Sequence, residues 1–167
     1  MAVLTDQQIA ELIACPKIVT DAARKAMRVE GAHQRADIKL ESLDGKQFAI
    51  FVRQSTVFAE NFSIGLRYVP QDGSDSVILF RCNGPHGPSG GSLSGSHHPH
   101  PHIHTATETN LMDGARAERG GIVTQEFSEI HGATSYFLDQ IGFPNDQLQK
   151  CFPKSRQTPF TFFEVES

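Results

Sequence analysis

The stretch Asp37-Ile-Lys-Leu-Glu-Ser-Leu-Asp-Gly-Lys-Gln-Phe-Ala-Ile-Phe-Val-Arg-Gln54 decides the fold class of this chain. Polar and apolar side chains alternate along 37–43 and again along 46–54, on either side of the pair Asp44-Gly45. Such alternation is typical of strands with one buried face, and an Asp-Gly pair between two of them is the strongest short signal for a β-hairpin. The stretch therefore predicts two antiparallel strands joined by a tight turn.

A second hairpin is predicted from residues 61–69 and 76–83, which flank turn residues at 71–75. Each strand has an apolar face, formed by Phe62, Ile64, Leu66 and Tyr68 in the first strand and by Ile78, Phe80 and Cys82 in the second. Pairing these faces places Ile64 opposite Cys82 and Leu66 opposite Phe80, which implies a three-residue loop at 72–74. We therefore interpret Cys82 as a core residue and not as a nucleophile.

The same register predicts a polar surface on the other face of this hairpin. That surface is formed by Ser63, Arg67, Arg81 and Asn83. Arg81 is expected opposite Gly65 and diagonal to Arg67. Because a solvated sheet face normally carries such side chains, the two arginines alone do not identify a site.

Helices are predicted on both sides of the hairpins. Thr5-Asp-Gln-Gln8 is a capping-box pattern ahead of an apolar stripe, and Pro16 suits the first turn of a second helix that ends near Gly31. Ser128 is expected to cap a third helix, and residues 158–165 look like a closing strand. Together these elements predict an α+β fold in one domain over 1–167, a mainly antiparallel sheet with N-terminal helices and one later helix packed on one face.

Composition and charge exclude several classes of protein. The 167 residues carry a net charge of −4, so any nucleic-acid contact has to be a local patch. The three cysteines lie far apart and form neither a metal knuckle nor a disulfide framework, which favours a reducing compartment. No signal peptide pattern is visible, and no apolar run approaches the ~20 residues of a membrane span. We expect a cytoplasmic protein without membrane contact, and its oligomeric state is left open.

The histidines are the strongest functional signal. Five of the chain's eight lie within residues 97–104, after a Gly/Ser/Pro/His-rich stretch at 84–98 that predicts a flexible loop. Residues 102–108 are expected to form a strand with His102, His104 and Glu108 on one face. If Ile103 enters the core, these histidines share the polar face with Arg67 and Arg81.

One hypothesis is cleavage of RNA without a metal or other cofactor. His102 and His104 would form an acid–base pair acting on the 2′-hydroxyl and the leaving oxygen. A cation would stabilise the charge that develops on the phosphate. The expected supporting residues are Arg81 and His86 in the catalytic group, with Arg67 and Asn83 in substrate binding.

The alternative is a non-catalytic module in which zinc or nickel, or a partner protein, orders the histidine-rich segment. Two neutral imidazoles at alternate strand positions can ligate one ion, and further ligands can fold over from the loop. The candidate ligands are His98, His100, His102, His104 and Glu108. A third possibility is a solvated loop without function, and His33 and His131 are interpreted as structural or surface residues.

Two motifs carry a resemblance to a known family. Arg81-Cys-Asn-Gly-Pro-His86 and His98-Pro-His-Pro-His-Ile-His104 resemble a bacterial family of small proteins with a strand ending in Arg-x-Asn-Gly, a histidine-containing loop and a His-Ile-His strand. More distantly, the pattern is similar to TumE-like toxins of toxin–antitoxin systems. The resemblance covers residues 76–108; this chain lacks the acidic residue before the asparagine and has a longer loop. It implies an RNA-cleaving toxin with a DNA-binding antitoxin partner, and functional roles for Arg81, Asn83, His86, His102 and His104.

Overall fold

The computed structural model describes residues 3–20, 27–86 and 99–144. Within these residues the helices are α1 (Asp6–Ala14), α2 (Glu108–Met112) and α3 (Ile130–Gln140). The strands are β1 (Lys17–Val19), β2 (Arg28–Glu30), β3 (His33–Ser42), β4 (Gln47–Ser55), β5 (Phe62–Val69), β6 (Val77–Asn83), β7 (His102–Thr105) and β8 (Ile122–Val123). This is the predicted α+β class.

The strands of the described residues form one sheet in which all pairs are antiparallel. The order across the sheet is β1-β3-β4-β5-β6-β7-β8, and β2 also pairs with β3. The short strands β1 and β2 cover different ends of β3, since β1 pairs with its last residues and β2 with its first. Consecutive strands from β3 to β8 are therefore neighbours in space, which brings β7 next to the Arg81-Cys-Asn83 end of β6.

The first hairpin is confirmed. Ile38 lies opposite Ile50, and the amide of Gly45 donates to the carbonyl of Ser42 in the turn. Gly45 has φ +80°, a left-handed conformation that glycine adopts without a steric cost. The alternating pattern and the Asp-Gly turn are thus sufficient to define this register.

The second hairpin has the predicted pairing but not the predicted loop. Ile64 lies opposite Cys82 and Leu66 opposite Phe80, as the apolar faces require. The register then shifts, so that Arg67 pairs with Ile78 and Leu79 is an extra, fully buried residue of β6. The bulge lets Leu79 and Phe80 both enter the core, and the connection runs over 70–76 in place of the three-residue loop. Ile78 accordingly leaves the apolar face to which the alternation assigns it.

The prediction of a second helix is wrong at both ends of its range, where the structure describes strands. Residues 17–19 form β1 and residues 28–30 form β2, while residues 21–26 lie outside the described part of the chain. The ten-residue strand β3 offers an edge of unpaired backbone groups, and both segments satisfy it. The backbone hydrogen bonds that these segments form with β3 outweigh the helical spacing of their apolar residues, which is a weak preference by comparison. The predicted closing strand at 158–165 also lies outside the described residues.

Two helices cover the apolar face of the sheet. Thr5 forms the predicted capping box with Gln8, and α3 begins after Glu129, one residue beyond the predicted cap Ser128. Phe137 of α3 stacks on Phe80 with ring centroids 6.0 Å apart. Fully buried Cys82 belongs to this core, and burial raises the pKa of its thiol to about 12. Among the described residues, a helix with the length and apolarity of a membrane span is absent.

Candidate histidine site

The polar face of β6 and β7 brings the predicted residues together. Asn83 lies opposite His102, and Arg81 lies opposite His104. The predicted alignment of the two histidines with Arg81 is therefore confirmed, although both are buried: His102 is 1% exposed and His104 is 7% exposed. Together with the nearby Glu118 of the segment before β8, these four residues form what we call the histidine site.

A chain of hydrogen bonds fixes His102. Ser63 Oγ donates to Asn83 Oδ1 over 2.8 Å, and Asn83 Nδ2 contacts His102 Nε2 at 3.2 Å. Since an amide nitrogen can only donate, Nε2 of His102 is the acceptor, and its Nδ1 donates to the carbonyl of His100 at 2.9 Å. The neighbours of this ring therefore assign one tautomer, with the proton on Nδ1.

His104 is held on one side and free on the other. Its Nδ1 lies 2.8 Å from the carbonyl oxygen of Glu118, an acceptor, so Nδ1 carries the proton. Burial, and secondarily the charge of Arg81, lowers the pKa of His104 to about 4, so the ring is neutral at pH 7. Its buried Nε2 has no hydrogen-bond partner among the described residues. The site thus contains an imidazole lone pair that no described residue uses.

Arg81 supplies a largely buried positive charge beside this lone pair. Its guanidinium Nη2 lies 3.5 Å from Oε1 of Glu118, which is 4% exposed and also receives Arg116 at 3.1 Å. Nε of Arg81 has no hydrogen-bond partner among the described residues. A donor and an acceptor without described partners are therefore carried by directly paired positions of β6 and β7.

Glycine at 121 makes room for both imidazoles. A Cβ at this position would lie 2.9 Å from Cδ2 of His102, 2.9 Å from Cε1 of His104 and 3.0 Å from Nε2 of His104. Real Cβ atoms do not approach neighbours so closely, so any larger residue would displace a ring. The Gly120-Gly121 pair predicts only a turn, and nothing in the sequence pattern indicates Gly121 or Glu118 as parts of the site.

Other predicted site residues lie at different distances from this centre. The ring of His86 is 5.1 Å from that of His102, so His86 belongs beside the site. Arg67 lies over the ring of Phe51, 5.4 Å from its centroid and opposite Ile78. His100 is exposed and contributes its backbone carbonyl, and His98 lies outside the described residues, as does the predicted loop from residue 87 onward.

Glu108 does not share a strand face with the histidines. Strand β7 ends at Thr105, and Thr107 caps α2 by accepting from the amide of Asn110. Glu108 is the first residue of that helix, and its amide donates to Asp6 Oδ1 at 2.8 Å. The expected strand over 102–108 is therefore wrong in its second half, because a threonine cap favours a helix over continued pairing. Glu108 connects α2 to α1.

The donor set is incomplete for a metal ion within the described residues. No cluster of three or more His, Cys, Asp or Glu side chains is arranged there to hold one. His104 offers an Nε2 without a partner in the described part of the chain, whereas the Nε2 of His102 accepts from Asn83. Both rings donate their Nδ1 proton to a backbone carbonyl, which is the arrangement of ligating histidines. Of the ligands that the metal hypothesis names, His104 is therefore oriented for an ion, and His102 would first have to lose its bond from Asn83.

Comparison with known proteins adds no relative. The chain matches no protein-family model, no curated protein and no solved structure. The likeness to TumE-like toxins therefore stays a prediction from the two motifs, and the function has to be argued from the histidine site itself.

Proposed function

We propose that this protein is a metal-independent endoribonuclease in which His104 is the general base. The observation that carries the proposal is a neutral, buried His104 directly across the strand pair from Arg81, with an Nε2 to which no described residue hydrogen-bonds. A general base needs a lone pair, a fixed ring and a pKa near the working pH, so the pKa of His104, which burial lowers, would have to rise when the site opens to a phosphate. The bond from Nδ1 to the Glu118 carbonyl supplies the fixed ring.

The reaction would be an intramolecular transesterification of the RNA chain, in which the phosphorus exchanges its 5′-oxygen for the adjacent 2′-oxygen. His104 Nε2 takes the proton of a 2′-hydroxyl, and the 2′-oxygen forms a bond to the adjacent phosphorus. The bond from phosphorus to the 5′-oxygen breaks, and an acid donates a proton to that oxygen. The products are a 2′,3′-cyclic phosphate and a free 5′-hydroxyl, so no oxidant, metal or second substrate is required.

The histidines differ in how well each can act as the acid or the base. His102 accepts at Nε2 from an Asn83 amide whose oxygen is held by Ser63, so protonating that nitrogen would break the bond from Asn83. His86 is half-buried, and its ring lies 5.1 Å from that of His102, which makes it the better acid. We therefore assign His86 as the proton donor and His102 as a positioning residue, while Arg81 faces the phosphate.

Substrate reaches His104 only if the cover over it moves. The ring is 7% exposed, and the chain at Gly121 passes directly against it. Gly120 has φ +93°, and two consecutive glycines allow a backbone change at a small steric cost. Opening at Gly120-Gly121 is the conformational step that the proposal requires.

Cleavage of an end-labelled single-stranded RNA tests the proposal. In His104→Asn, the asparagine Nδ2 can still donate to the Glu118 carbonyl while the lone pair is lost. We expect EDTA-resistant cleavage by the wild type with a cyclic-phosphate end, a loss of at least about 100-fold in His104→Asn, and no change in Lys46→Gln at the exposed hairpin turn. No cleavage by the wild type, or full cleavage by His104→Asn, would contradict it.

The second candidate is zinc or nickel binding, favoured by the Nδ1-to-carbonyl bonds of His102 and His104. Here Asn83 would release the Nε2 of His102, and both rings would face the ion. The same assay separates the candidates, because cleavage lost in EDTA and restored by zinc would move the site to metal chemistry. Stoichiometric zinc on tag-free protein without cleavage would assign a binding module.

A further inference from the structure

We propose that the exposed face of β3, β4 and β5 binds single-stranded RNA and leads it to the histidine site. This inference rests on the proposed function, since it names the path of the same substrate. We call Arg35, Arg53, Arg67 and Phe51 the cationic strip. The strip lies on the polar face of the sheet, which α1 and α3 leave uncovered within the described residues.

Strand pairing connects the strip to the histidines in one row. Arg35 lies opposite Arg53, and Arg53 lies opposite Ser63. Ser63 lies opposite Asn83, which lies opposite His102. Side chains directly opposite one another in a ladder point to the same face, so the row crosses four strand spacings, about 19 Å. A nucleic-acid strand lying across the sheet would contact the arginines first, and it would reach the buried histidines only after the chain at Gly120-Gly121 opens.

The arginines of the row repel one another without a ligand. Like charges at directly opposite positions destabilise a sheet, yet Arg35 and Arg53 are such a pair. Arg53 is exposed and has no carboxylate partner among the described residues. Arg35 contacts Glu30 at 3.3 Å, with both side chains nearly half exposed, so solvent weakens that pair. Their combined charge also reaches His33, whose pKa is lowered by desolvation first and then by Arg53 and Arg35.

A cation and an aromatic ring lie together beside this row, Phe51 in the neighbouring row and Arg67 in the one after it. The Phe51 ring lies over Gly65, where a Cβ would come within 2.4 Å of its Cζ, and Arg67 lies 5.4 Å from the ring centroid. Proteins that bind single strands combine a positive groove with aromatic and arginine surfaces on which bases stack. By the same pairing, Arg28 opposite Arg35 and Lys39 opposite Ala49 add positive charge to this face, while Glu30, Asp37 and Glu41 add negative charge, so basic residues are in excess on it. The net charge of −4 makes this a local patch and not a generally basic surface.

Binding of a fluorescent single-stranded RNA of about 12 nucleotides, followed by anisotropy, tests the strip. The His104→Asn background prevents cleavage during the measurement. We expect Arg53→Gln to weaken binding about fivefold at 0.1 M salt and to reduce the salt slope by about 0.7, as one lost phosphate contact requires. We expect Arg67→Gln to weaken binding by a similar factor, and duplex RNA to bind more weakly than the single strand.

Lys46→Gln is the matched control. It removes the same charge seven residues from Arg53 along the chain, roughly 24 Å away in an extended strand, and should leave affinity unchanged. Equal weakening by Lys46→Gln and Arg53→Gln, equal binding of duplex, or no binding would overturn the strip. Binding that depends on Arg53 without cleavage by the wild type would leave the strip standing and refute the ribonuclease. RNA cleavage by the wild type, together with unchanged RNA binding by Arg53→Gln, would refute the strip and leave the ribonuclease standing.

Discussion

Replacing Arg81 with alanine is expected to lower the free energy of unfolding by about 3 to 5 kcal/mol. The side chain of Glu118 is 4% exposed, and its partner Arg81 is 15% exposed. Without Arg81, the buried carboxylate would keep only Arg116 as a partner. The side chain of Arg116 is 72% exposed, so solvent weakens its attraction for the carboxylate. Urea denaturation followed by circular dichroism measures the change.

Two further variants separate the buried charge from simple loss of packing. Arg116→Ala removes the exposed partner and should cost less than about 1 kcal/mol. Arg81→Met with Glu118→Gln removes both charges and should be more stable than Arg81→Ala alone, since no uncompensated carboxylate remains. An Arg81→Ala protein within about 1 kcal/mol of the wild type would show that this ion pair does not hold the site together.

Acidification should destabilise the protein between pH 6.5 and pH 4 because of His104. The pKa of this imidazole is about 4 in the folded protein against 6.5 in an unfolded chain. In that window the unfolded state binds the proton and the folded state does not, so stability rises with pH and falls as pH is lowered. The difference corresponds to about 3 kcal/mol, complete once the pH is below the folded value.

His104→Asn is the control for this titration. Asparagine does not ionise, so the variant should show a flatter dependence of the unfolding free energy on pH over the same window. Other groups that face the ring, Arg81, Glu118 and His102, are unchanged in the variant, so the difference between the two curves reports mainly on His104. Parallel curves for the two proteins would mean that His104 titrates as an ordinary, solvated histidine.

The sequence predicts the centre of the sheet well because alternation leaves few choices there. A shift of one residue would turn Ile64 and Leu66 to the polar face, so their pairing with Cys82 and Phe80 follows from the pattern. The relation of Arg81 to His104 is a consequence of that register plus one more strand. The bulge at Leu79 is different, because two adjacent apolar residues do not reveal which of them is extra.

What the sequence does not predict depends on contacts between distant segments. Residues 17–19 and 28–30 have helical spacing but form strands, because β3 offers them an edge to pair with. Glu118 reaches the histidine site through a turn after α2, and its backbone carbonyl, which carries no sequence signal, holds His104. Glu108 shows the same limit, since the threonine cap at Thr107 ends the strand that would have placed it beside His104.

Nitrogen-15 NMR of the His104 ring across pH, assigned by comparison with His104→Asn, tests the histidine site most directly. We expect a neutral ring at pH 7 with its proton on Nδ1, an available Nε2 lone pair, and a titration midpoint near pH 4. A ring that carries its proton on Nε2, or that titrates near its ordinary value of 6.5, would contradict the claim that the site contains a buried, unused base.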